Sequence, residues 1–166
     1  MAADAGIWWQ VLVPVGTFVL GFLVSRFTLS KKERFDVASQ KQARSQELTK
    51  ARDEAFTGFT AAITRYANSS SAPDLDEFTA VATTGEKYFT VVQMICDAVL
   101  NSQLPESTVS NTHLQTVRDV VDRTLPKFFS TLQDIAAATQ LRYSGELRRS
   151  DYESIYAVYE KYELGL

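Results

Sequence analysis

His113 and Cys96 are each the only residue of their type in the chain, and together they bound its chemistry. A zinc site draws on histidine nitrogen and cysteine sulfur, and a di-iron site in a helical bundle needs Glu-x-x-His pairs on facing helices. One residue of each type supplies neither arrangement, so no metal site and no cofactor are expected. Cys96 falls among Val92 and Val99 at helical spacing, which reads as a small buried hydrophobe. A nucleophilic thiol needs an electropositive, partly exposed setting instead. His113 reads as a core or boundary ring with a satisfied nitrogen.

Asp119 and Asp122 stand three apart, where Glu106 or Asp134 could share their helix face. Arg118 and Arg123 beside them make surface pairing the simpler reading. The chain has no Gly-rich phosphate loop and no Gly-x-Ser-x-Gly elbow. No catalytic residue is assigned, and an enzyme is not expected.

The elements that carry these residues begin with a membrane anchor. Ala5 to Ser25 (AGIWWQVLVPVGTFVLGFLVS) is uncharged throughout. As a helix rising about 1.5 Å per residue it reaches roughly 31 Å, the thickness of a bilayer hydrocarbon core. Trp8 and Trp9 suit the headgroup layer at one end, while Arg26, Lys31, Lys32 and Arg34 crowd the other. A cleaved signal would have a basic head, a shorter apolar core and a small-x-small site, none of which is present. Basic residues follow the run and none precedes it, so the positive-inside rule puts the amino terminus outside and residues 30–166 in the cytosol. A bacterial inner membrane is the expected location. A single cysteine, with no internal disulfide open to it, suits a reducing compartment.

Charge divides the rest. Residues 31–54 carry a net charge of +2 and residues 55–166 a net charge of −5. A basic collar beside lipid and an acidic body beyond it do not suit nucleic acid, which demands clustered Lys and Arg; none is expected as a partner.

The body reads as helical throughout. Ser30-Lys31-Lys32-Glu33 has the spacing of a capping box and predicts a helix start there. Residues 35–47 are mostly polar, which suits a solvated stalk. From Leu48 a stripe of Ala51, Ala55, Phe59, Ala62, Ile63 and Tyr66 recurs at three and four. Asn68 to Pro73 reads as a loop, with Asp74 and Glu77 as the next cap. Leu75, Phe78, Val81, Ala82, Gly85, Tyr88, Phe89, Val92, Ile95, Cys96 and Val99 form a stripe wide enough for a central helix. Asn101 to Pro105 ends it. Val109, His113, Val117, Val120 and Val121 follow, and Pro126 predicts a kink or break near Thr124. Phe128, Phe129, Leu132, Ile135 and Ala136 continue the stripe. Gly145 reads as a turn, and Ser150 to Glu153 as a second capping box opening a terminal helix.

The expected architecture is all-α: one transmembrane helix followed by a cytosolic antiparallel bundle of about four helices. Residues 1–29 form the anchor (span about 5–25), 30–47 the stalk, and 48–166 the bundle with its Tyr-rich terminal helix.

Two faces suggest partners. Thr17, Gly21 and Ser25, four apart within the span, let two helices approach closely, so a homo-oligomer is expected to form there. Tyr152, Ile155, Tyr156, Tyr159 and Tyr162 form one stripe of the terminal helix. Docking on the bundle is one use of it; tyrosine also suits protein interfaces, which makes it a candidate partner face. The expected function is a membrane-anchored interaction module that tethers a cytosolic protein. The alternative is a membrane effector, of toxin or defence type, whose span oligomerises and perturbs the bilayer once the body is triggered.

Overall fold

Helix α1, Ala5–Asn68, runs through the expected start at Ser30 without interruption. A capping box matters only where upstream carbonyls are missing, and here the preceding turns supply them to the backbone donors. The computed structural model describes the backbone of residues 5–69 and 75–165, and side chains from Lys31 onward with Asn111 excepted. The span, its small-residue face, its tryptophans and Arg26 therefore lie outside the described side chains. The Asp74 cap and residues 70–73 of the expected loop lie outside the described residues altogether. From Lys31 onward, where side chains are described, no helix is long and apolar enough to cross a membrane, and among the described residues there is no strand.

The chain divides into two compact units, Met1–Gln40 and Lys41–Leu166. In the first, the described side chains 31–40 are all exposed, Phe35 and Val37 included.

In the second unit the helices pack as a bundle. The carboxy-terminal part of α1 buries Leu48, Ala55 and Phe59, with Ala51, Ala62, Ile63 and Tyr66 half-buried. Helix α2, Leu75–Leu100, buries residues on a wide arc from Val81 to Val99. Leu75 is the exception to the expected stripe, being 58% exposed at the first turn. Ser102 takes a left-handed backbone, and the N–H of Gln103 reaches back to the carbonyl of Ala98 at 2.8 Å. That closes the helix without a glycine.

Residues 106–139 form one helical run of changing pitch. Short α3, Glu106–Thr108, passes into a π-helical turn at Val109–His113, then α4, Leu114–Asp119. A second π turn, Val120–Thr124, leads into α5, Leu125–Thr139. Pro126 thus produces no break. It lacks an N–H, and its ring would strike the carbonyl four residues back, so the preceding turn widens instead. The Thr124 hydroxyl donates to the Asp119 carbonyl at 3.1 Å within that turn.

Gln140 ends α5 in a left-handed conformation, φ 57°, with the Leu141 N–H bonded to the Ala136 carbonyl at 2.9 Å. Residues 141–148 have no regular secondary structure and no turn at Gly145, and the Tyr143 N–H bonds the Leu141 carbonyl at 3.1 Å. Leu141, Tyr143, Gly145 and Leu147 are half-buried, and Arg142, Ser144, Glu146 and Arg148 are exposed. That two-residue period is what an extended chain presents when one side lies on a surface. The terminal helix opens with a 3-10 turn, Arg149–Tyr152, and continues as α6, Glu153–Lys161. The second capping box does not form: Ser150 donates to its neighbour Asp151 at 3.3 Å.

Aromatic rings join the elements of this unit. Phe89 of α2 meets Phe59 of α1 at 6.0 Å, Phe128 of α5 at 5.1 Å and Tyr152 at 5.7 Å, all edge to face. Such pairs add about 0.5–1.5 kcal/mol each beyond the area they bury.

Candidate functional site

The terminal stripe is divided by the bundle. Ile155 is fully buried and Tyr152 nearly so, against Phe89 and Phe129. Burial pushes the Tyr152 phenol up to about 12, so it stays neutral. Tyr156 and Tyr159 are half-buried, and Tyr162 is exposed. The Tyr159 hydroxyl donates to Asp122 at 2.7 Å, and that bond, foremost among the causes, raises its pKa. The Arg149 guanidinium lies over the Tyr156 ring at 4.7 Å and pairs with Glu160. The face is therefore packed at Tyr152 and Ile155, tied down by polar bonds in its middle, and open at Tyr162.

The titratable residues at the core are withdrawn from solvent. The Cys96 thiol is pushed up to about 12, mainly by burial. A thiol in that state is not a nucleophile at neutral pH. His113 is fully buried, and among the described residues neither ring nitrogen has a hydrogen-bond partner, against the expectation of a satisfied ring. Burial lowers its pKa and the Arg52 charge lowers it further.

Asp119 and Asp122 belong to a solvated face. Gln115 donates to Asp119 at 3.2 Å, and Arg118 sits 3.6 Å from Asp122. Among the described residues no cluster of His, Cys, Asp and Glu has the arrangement to hold a metal ion. Lys31, Lys32 and Arg34 of the basic collar are exposed.

Grooves run along α1 in the second unit. One, of about 770 Å³, lies between α1 and the first π turn, lined by Ser45, Thr49, Asp53, Thr57 and Thr112 among others. Another, of about 500 Å³, holds Arg52, Phe56, Tyr88, Thr116 and Asp119. Arg52 lies between α1 and α4: its Nη1 donates to Thr116 Oγ1 at 3.1 Å and its Nη2 to Asp53 at 2.6 Å. Helical periodicity could not reveal this clamp, because Arg52 and Thr116 are far apart in sequence and both fall on the margins of their stripes.

Comparison with known proteins finds no matching family model, no matching curated protein and no matching solved structure.

Proposed function

We propose that this protein is a single-pass membrane-anchored adaptor whose antiparallel bundle of about four helices stands on the cytosolic side and holds a protein partner at the membrane. The observation that carries the reading is the uncharged run Ala5 to Ser25 with two tryptophans before its middle and a basic collar after it. The withdrawn Cys96 and His113 side chains support a binding role over a catalytic one. The partner contacts the open end of the terminal helix, at Tyr162 and the outer edges of Tyr156 and Tyr159, where apolar rings carry polar tips.

The test is purification of the full-length protein in mild detergent, beside a Tyr162→Ala variant. A partner that co-purifies with the native chain, and falls at least fivefold with the variant, supports the reading. Equal recovery with both would remove that face. Growth arrest with loss of membrane potential on overexpression would favour instead the effector reading, in which the span itself acts on the bilayer.

A further inference from the structure

His113 combines three properties: full burial, two ring nitrogens without partners among the described residues, and a place at the end of a π-helical turn. Buried polar atoms in folded proteins are nearly all hydrogen-bonded, and π turns concentrate at functional positions. The neutral ring is tolerated here at a desolvation cost; the charged ring would have no acceptor among the described residues. Around it, α1 contributes the Arg52 guanidinium, which repels an imidazolium, with Asp53 already engaged by that same guanidinium. Elsewhere in the core, Tyr88 and Cys96 of α2 are both pushed up to about 12 and hence uncharged. From its own run, Asp119 accepts from Gln115, and Glu106 with Lys161 and Tyr162 of the terminal segment borders the groove beside Val109 and Leu114. None of these carboxylates acts on the ring.

We propose that His113 is an acid-sensitive latch: its protonation frees the π-helical turn from the Arg52 segment of α1 and opens the bundle core. The device does not depend on which protein the adaptor holds. The sign follows from linkage. The opened state binds a proton with the ordinary histidine affinity and the closed state binds it less tightly. Opening is therefore unaffected above about pH 6.5 and grows up to tenfold per pH unit below it.

The chain supplies its own reporters. His113 is the only histidine, so selective ring labelling gives a single nuclear magnetic resonance signal, and Cys96 is the only thiol and fully buried. The experiment uses the full-length protein in detergent micelles, with a pyridyl disulfide that reacts with thiols in acid. Rates at each pH are divided by those of the denatured protein at the same pH, which cancels the intrinsic reactivity of sulfur. The expected result is a Cys96 rate that is flat from pH 8 to 6.5 and rises at least tenfold by pH 5. Over the same range the closed-state ring is less protonated at each pH than a free imidazole. A His113→Gln variant, if folded, should lose the acid rise. If it does not fold, the ring titration of the native chain decides alone. A rate flat to pH 5, a folded variant with an unchanged acid rise, or a closed-state ring that titrates near 6.5 would each overturn the proposal.

Discussion

Gly85 lies where α2 passes the ring of Phe128. A Cβ at this position would come 2.7 Å from Phe128 Cδ2. That ring has nowhere to go, because Phe59, Phe89 and Phe129 hold it at 5.7, 5.1 and 5.3 Å. Gly85→Ala therefore forces overpacking and should lose about 1–3 kcal/mol, despite the better helix propensity of alanine. Urea unfolding followed by circular dichroism would show it, and an unchanged or raised midpoint would mean the ring can yield. The periodicity of α2 marked Gly85 as inward but not why it must be small, since that reason sits on α5. The same limit applied to His113, whose isolation depends on what other helices fail to offer it. Cys96 was readable, because an apolar run at spacings of three and four is enough to bury a thiol.

At the scale of elements, residues 153–162 separate packing from display. Ile155 is fully buried, so Ile155→Ala should cost about 2–5 kcal/mol in stability. Tyr162 is 38% exposed, so its replacement by alanine should cost only about 1 kcal/mol, less than the Ile155 change. Equal losses in a denaturant titration would mean that the end of the terminal segment is structural. Gln140 offers the opposite sign. It caps α5 at φ 57°, where a side chain is strained by roughly 1 kcal/mol, and Gln140→Gly should recover about that much. A lower unfolding midpoint in the glycine variant would show that the Gln140 side chain does more than tolerate the cap. Helix faces were legible in the sequence because burial and period 3.6 go together. Helix ends were less so: Ser30 and Ser150 carried cap spacing where no cap forms. Pro126 announced a disturbance, yet the wider π turn that absorbs it has no residue signature of its own. The π turn at Val109–His113 follows from no local signal that we can identify.

At the scale of the whole molecule, the chain joins an uncharged run, a basic collar and an acidic helical unit. The self-association proposed for Thr17, Gly21 and Ser25 belongs to the first of these. Gly21→Leu should weaken it by about 1–2 kcal/mol, while Phe22→Leu, about 100° around the helix, should not. Crosslinking of the full-length protein in membranes compares the two, and equal oligomer populations would remove that face as a driver. The adaptor reading stands first on where the chain resides. The most direct measurement uses full-length protein with a carboxy-terminal tag, carried through alkaline extraction and then protease treatment of intact cells and of inverted vesicles. The account predicts a tag that stays with the membrane pellet, survives protease in intact cells and is cleaved in inverted vesicles. Release by alkali, or cleavage of the tag from the outer face of intact cells, would contradict it.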